Sequence, residues 1–207
     1  MKNINVRSYN LGLYEVPHET FGGVCLDVGA NVGSFLKKYV NHFRKIHYYE
    51  PLDRCFKICQ DFSKNYSHIH GFNKAGYSVS GKRLRMISHL NLDSGSCAVE
   101  SELLNDDWDI NNMINCVESI CLEDMIKELD EPVIDYLKMD CETSEYHILF
   151  EKDLTIFNYI GIEVHAQPGE LKHSQLISHI KTTHQLVSGD ATYKSNLNNE
   201  LFFKRLE

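Results

Sequence analysis

The chain has no dense block of Lys or Arg. These residues total 21 against 29 Asp and Glu in 207 residues, for a net charge of −8. Neutralising nucleic-acid phosphates takes clustered cations, so binding to nucleic acid or to an anionic membrane surface is not expected. No apolar run approaches the roughly 20 residues of a membrane span. The stretch from Met1 to Ser8 also lacks the apolar centre of a signal peptide, so a cytoplasmic location is expected. The seven cysteines are odd in number and include no Cys-x-x-Cys, and they read as reduced cytosolic thiols, most of them small core residues. Cys55 and Cys59, one helical turn apart, read as neighbours on one helix face rather than as metal ligands. The eleven histidines show no ligand spacing, and no repeat or low-complexity tract is present.

What is present is ordinary for a globular chain: 43% apolar and 24% charged residues. The length suits a single domain over residues 1–207, with a sheet covered on both faces. The organising stretch runs from Val24 to Phe35. A short apolar run ends at Val28 with one acid, Asp27, inside it. Gly29, Ala30, Asn31 and Gly33 follow, and Ser34 to Arg44 carries apolar residues at helical period. A buried parallel strand, a tight turn and a helix start read this way. Glycines let a ligand approach the backbone closely, and a helix start offers free N–H groups. The third glycine of the dinucleotide turn Gly-x-Gly-x-x-Gly is missing.

The same strand–helix alternation continues. Residues 1–22 read as an N-terminal arm covering one edge of the domain. Ile46 to Glu50 is a strand stopped by Pro51, and Glu50 lies 21 residues after Gly29, where an acid suits ribose hydroxyls. A helix from Leu52 to Tyr66 precedes a third strand and its exit, Ile69 to Tyr77. Residues 80–112 read as an insertion with a β-hairpin, a loop at Asp93 to Ser96 and an acidic segment around Trp108. Strand-like Asn115 to Ile120 leads to a helix ending near Leu129. A strand from Ile134 to Cys141 and a helix from Glu145 to Leu154 follow. Then come a strand from Tyr159 to His165 and a helix from Gly169 to Thr183. Two closing strands, His184–Ser188 and Glu200–Arg205, meet through a turn at 196–199 as an antiparallel hairpin. The expected fold is therefore α/β: a Rossmann-like, doubly wound, mostly parallel sheet with a terminal antiparallel hairpin and a small β-hairpin insertion. Asp27, Glu50, Asp140 and His165 each fall near the C-terminal end of a predicted strand, the edge at which such sheets bind ligands.

Asp27-Val-Gly-Ala-Asn-Val-Gly33 resembles the first motif of class I S-adenosylmethionine-dependent methyltransferases, and in particular the FkbM-type family. Tyr49-Glu-Pro51 resembles that family's Phe-Glu-Pro. Lys138-Met-Asp-Cys-Glu-Thr-Ser-Glu145 resembles its Lys-Ile-Asp-x-Glu-Gly-x-Glu, with Thr143 where the family has glycine. If that position needs φ > 0, a β-branched residue there is costly. The three motifs stand in family order and span most of the chain.

The resemblance implies S-adenosyl-L-methionine as cofactor, S-adenosyl-L-homocysteine as product, and O-methylation of a sugar, glycoconjugate or natural-product hydroxyl. It implies cofactor contacts from Asp27, Gly29, Asn31, Gly33, Glu50, Pro51, Lys74, Ala75, Ser96 and Asp140. A hydroxyl acceptor must lose its proton. His165 is the first candidate base, with an ordinary pKa near 6.5, and Asp140 orients cofactor or acceptor. Glu142 is an alternative base, and Lys138 either lowers the acceptor's pKa or pairs with an acid. Asp140, Glu142 and Glu163 also form an oxygen-ligand set that a divalent cation could take, though a metal is not favoured. A nicotinamide-dependent oxidoreductase would share the glycine turn and Glu50, and a non-catalytic cofactor-binding module would share the whole pocket. Methylation of nucleic acid is disfavoured by the charge and by the absence of an Asn-Pro-Pro-Tyr segment.

Overall fold

A computed structural model describes residues 8–9, 16–88, 97–102, 116–166, 169–189 and 199–207. The arm contributes β1 (Ser8–Tyr9) and β2 (Val16–Pro17), paired antiparallel, then a 3-10 turn at His18–Thr20. The first half of the domain contains β3 (Val24–Val28), α1 (Ser34–Tyr39), β4 (Lys45–Tyr49), α2 (Asp53–Ser63) and β5 (Ile69–Phe72). The chain then leaves the main sheet for β6 (Ala75–Gly76), β7 (Arg83–Ser88), β8 (Cys97–Glu102) and β9 (Cys116–Ile120). It returns through α3 (Leu122–Leu129), β10 (Ile134–Met139), α4 (Glu145–Leu149) and β11 (Phe157–Val164). The chain closes with α5 (Leu171–Ile180), β12 (His184–Ser188) and β13 (Asn199–Arg205).

Among the described residues the main sheet has seven strands, in the order β12-β13-β11-β10-β3-β4-β5. Strand β13 runs antiparallel to both its neighbours, and the other pairings are parallel. From β3 the chain steps outward to β5, then crosses back to β10 on the opposite side of β3. The strand order therefore reverses between β3 and β10, and a crevice opens beyond their C-terminal ends.

Burial on both faces explains the composition of the central strands. Every residue of β3 is buried, and the strand reads as a continuous run rather than an alternation. Val24, Leu26 and Val28 join one apolar cluster with Leu122, Met125 and Leu129 of α3 and Leu176, Ile177 and Ile180 of α5. Those helix residues recur at three- and four-residue spacing, the stripe of an amphipathic helix. Cys25 faces the other way, into a cluster with Phe35, Leu36 and Tyr39 of α1 and Cys59 of α2. Val16 of the arm belongs to this second cluster, and Tyr159 donates a hydrogen bond to Glu19. The described part of the arm thus packs on a face of the sheet, and its two short strands pair with each other.

Several expected elements are shorter or divided. Helix α1 stops at Tyr39, because a tight turn (His42 N–H to the Tyr39 carbonyl) redirects the chain into β4. Helix α4 stops at Leu149, two residues before Glu151 takes a left-handed φ of 63°. The expected strand from Ile69 to Tyr77 splits. Asn73 Nδ2 donates to the carbonyls of Glu50 and Pro51, and Ala75–Gly76 pairs with β9 instead. The insertion is not an isolated hairpin: β7 and β8 form a four-stranded sheet with β6 and β9. The loop at Asp93 to Ser96, the segment around Trp108 and most of the 196–199 turn lie outside the described residues. Among the described residues, no helix is long and apolar enough to cross a membrane.

Candidate active site

A pocket of about 510 Å³, including space open to solvent, lies at the reversal of strand order. It is lined by Val28 and Gly29 at the end of β3 and the turn after it, by Asn31, Tyr49, Glu50 and Pro51, by Ala75, Gly76 and Met86, and by Asp140, Cys141, Glu142 and Ser144. Of the residues singled out from the sequence, it brings together Gly29, Asn31, Glu50, Pro51, Ala75, Asp140 and Glu142.

Glu50 ties two loops together. One carboxylate oxygen accepts from the backbone N–H of Asn31 at 2.7 Å, the other from Leu52 at 2.8 Å. Burial raises its pKa to about 7 against the pull of those two N–H groups and of Lys138. Asn31, with a left-handed φ of 52°, also accepts a hydrogen bond from Cys59 Sγ at its carbonyl. Cys55 and Cys59 therefore brace the turn from α2, and the helix-face reading of that pair holds.

The glycines have a different use from the one expected. Gly29 has a φ of +83°, and a Cβ there would overlap the Asp140 carbonyl oxygen. Gly33, at φ +76°, faces Cys59 Sγ, lies outside the pocket lining and starts α1. Their missing side chains let strand β10 and helix α2 approach the turn, and only Gly29 also borders the pocket.

Asp27 and Lys138 lie below the pocket, not in it. They are cross-strand neighbours in the β3–β10 register, with Lys138 Nζ 3.1 Å from Asp27 Oδ1. Asp27 is fully buried, and Lys138 also donates to the Gly29 carbonyl. Burial alone would lower the Lys138 pKa, but Asp27 and Asp140 hold it above the ordinary range. Asp27 accordingly anchors the turn from beneath, and Lys138 pairs with an acid rather than reaching an acceptor. Lys74 points away as well, with ion pairs to Glu128 at 3.3 Å and Glu118 at 3.7 Å. Ser96 lies outside the described residues.

His165 follows β11 directly and enters a cluster of acids. Its Nδ1 lies 2.8 Å from Glu145 Oε1; its Nε2 lies 3.3 Å from Glu142, 3.7 Å from Glu163 and 4.0 Å from Asp140. Burial lowers its pKa, but the bond to Glu145 and the charges of Glu145, Glu142 and Glu163 outweigh it and raise the value to about 9. The acids thus favour the protonated ring and hold its pKa above the expected value near 6.5. Glu163 is pushed up to about 7 by burial and by Asp140.

Glu145 is the first residue of α4. Its Oε1 also accepts from the Cys141 N–H at 3.0 Å, so one carboxylate holds both the loop after β10 and the His165 ring. Between Asp140 and Glu145 the backbone is left-handed at Glu142 (φ 48°) and Thr143 (φ 83°). The glycine-like conformation survives with a threonine in it. Asn73, which straps the Glu50–Pro51 backbone, was not separable from its neighbours by pattern alone.

The order of the seven strands, the single reversed strand and the pocket at the reversal define a class I S-adenosylmethionine-dependent methyltransferase fold. The sequence profile of the methyltransferase FkbM domain matches residues 27–187, and the chain belongs to that family. Methyltransferase FkbM from Methylobacillus flagellatus KT superposes with a TM-score of 0.54 at 13% identity, over 91% of this chain and 48% of that one. The chain therefore spans about half the length of that relative. Aeropyrum pernix fibrillarin, solved with natively bound S-adenosyl-L-methionine, superposes with a TM-score of 0.54 at 11% identity, over 93% of this chain and 70% of that one. At these identities the likeness is one of fold. Among curated protein sequences none matches the chain.

The family's methyl donor is S-adenosylmethionine, and the pocket fits it. The backbone at Gly29 is bare, the Glu50 carboxylate stands at the tip of β4, and Ala75 and Met86 supply an apolar wall for a flat base. The nicotinamide alternative falls with the family assignment.

Proposed function

We propose that the chain transfers a methyl group from S-adenosylmethionine to a hydroxyl of a sugar, glycoconjugate or natural-product acceptor. The observation that carries this reading is the acid-lined wall of the pocket. Asp140 and Glu142 line it together with Glu50, so a neutral, hydroxyl-rich acceptor would find hydrogen-bond acceptors there. The sulfonium methyl is already electrophilic. The protein's task is to align the acceptor oxygen about 3 Å from the methyl carbon and to remove its proton.

We assign the proton to Glu142, on the pocket wall and 3.3 Å from His165 Nε2. Asp140 orients the acceptor, and protonated His165 holds the acids in place as a positioning residue. The cofactor would lie across Gly29, with its ribose on Glu50 and its base along Pro51 and Ala75. The net charge of −8 supports a small-molecule or carbohydrate acceptor over nucleic acid, and the composition supports a cytoplasmic setting.

A panel of sugars, nucleotide sugars and polyketides, scored for release of S-adenosylhomocysteine, tests the reading, with a tRNA and a duplex DNA as further arms. Turnover confined to hydroxylated small molecules is the expected result. Methylation of nucleic acid alone would overturn it.

A further inference from the structure

We propose that Asp140, Glu163 and His165 form a divalent-cation site at the acceptor end of the pocket. Asp140 follows β10, Glu163 lies near the end of β11, and His165 follows β11. The parallel register that pairs Met139 with Ile162 brings all three to one rim. One donor atom from each lies within 4.8 Å of the others. His165 Nε2 is 3.7 Å from Glu163 Oε1 and 4.0 Å from Asp140 Oδ1. With metal–ligand bonds of about 2.1–2.2 Å, neighbouring ligand atoms stand about 3 Å apart and opposite ones about 4.3 Å. Small rotations of these side chains would therefore close the shell.

Two further observations point to a ligand. The Glu163 side chain is only 4% exposed, yet among the described residues its Oε1 has no hydrogen-bond donor. A buried carboxylate oxygen without a donor is costly, and a cation between the three side chains would satisfy it. The second is the hold on His165. Glu145 takes Nδ1 at 2.8 Å, and Nε2 faces Glu142 at 3.3 Å, Glu163 at 3.7 Å and Asp140 at 4.0 Å. A carboxylate on the outer nitrogen is the arrangement that orients metal-binding histidines. A ligating imidazole is neutral, so a cation bound there displaces the Nε2 proton to solvent.

Two carboxylates and one imidazole suit a divalent transition-metal ion such as Mn²⁺ better than Ca²⁺, which prefers oxygen alone. Three protein ligands leave coordination positions free for water or an acceptor oxygen. That last role rests on the methyl-transfer reading above; the site itself does not.

The test uses the full chain, stripped with a chelator and titrated with MnCl₂ at pH 7.5. Bound Mn²⁺ is read from loss of the free-ion electron paramagnetic resonance signal. Calorimetry with S-adenosylhomocysteine runs in parallel. One equivalent should bind, and Glu163→Gln should weaken Mn²⁺ at least tenfold. In the unaltered protein, Mn²⁺ should broaden the His165 imidazole resonances before those of His68 and His179. Absence of stoichiometric binding up to millimolar Mn²⁺ would overturn the site, as would binding with the His165 signals unbroadened. Normal homocysteine-analogue binding without Mn²⁺ binding refutes the cation alone. Mn²⁺ binding without the analogue refutes the cofactor reading alone.

Discussion

Replacing Thr143 with glycine should stabilise the protein. Thr143 sits at φ 83°, in the left-handed region, and its side chain is exposed. An L-residue there costs about 1–2 kcal/mol, and β-branching puts threonine at or above the upper end. Glycine removes that cost but gains freedom in the unfolded chain, which returns about 0.5–1 kcal/mol. An exposed side chain gives up little packing when deleted. The net gain is about 1 kcal/mol, or about 2–4 °C in Tm for a chain of this size. Thr143→Ala serves as the control, because it removes the branch but keeps the left-handed cost, so it should gain less than glycine. Calorimetric melting of the three proteins decides the matter, with urea unfolding to check that the denaturant slope is unchanged. The backbone already has the glycine conformation, so affinity for S-adenosylhomocysteine should stay within about twofold, a shift of roughly 0.4 kcal/mol. A Tm for Thr143→Gly at or below that of the parent would refute the claim of strain.

Other consequences follow from the ion pair, the turn and the pocket acid. Lys138→Met leaves Asp27 buried opposite a methionine and should cost about 3–5 kcal/mol, whereas Asp27→Leu/Lys138→Met together should recover most of it. Urea unfolding of the single and double variants checks this, and a double variant as unstable as the single would argue against a paired structural role. Gly29→Ala must displace the Asp140 carbonyl and hold alanine at φ +83°, for a loss of about 3 kcal/mol or more. A soluble variant melting within a degree or two of the parent would contradict that packing. Glu50, with a pKa of about 7, is largely protonated below neutrality in the free protein. Ribose hydroxyls donating to it select the ionised form, so binding releases a proton and tightens as pH rises through 7. Affinity for S-adenosylhomocysteine should then rise about tenfold from about pH 6 to pH 8, and the slope should vanish in Glu50→Gln. Calorimetry in buffers of different ionisation enthalpy measures the released proton directly, and a flat profile in the parent would remove Glu50 from that role.

Strand–helix alternation and three short motifs were enough to specify the parallel sheet, the glycine turn, the acid ending β4 and the terminal antiparallel pair. These features are local. They depend on apolar runs, on residues that tolerate positive φ, and on acids placed a strand's length from a turn. Glu50 and Asp140 were legible for that reason, because a strand end points its last side chains toward one rim. The antiparallel return of β13 was legible too, since two short strand-like runs with a polar turn between them leave few other pairings.

What the linear order could not decide is which charged groups meet. Asp27 and Lys138 stand 111 positions apart in the chain, and only the β3–β10 register turns them into a buried pair beneath the pocket. His165 looked like a base because an isolated imidazole titrates near neutrality. Packing β11 against β10 surrounds it with Glu142, Glu145 and Glu163, whose charges raise its pKa. Thr143 shows the same division: its identity was plain in the sequence, but only the folded loop shows that the backbone kept a glycine's conformation around it. Electrostatic and steric environments are set by neighbours from distant strands. The chain by itself determined the fold and the edge where ligands bind, and tertiary contact decided what each acid and base at that edge can do.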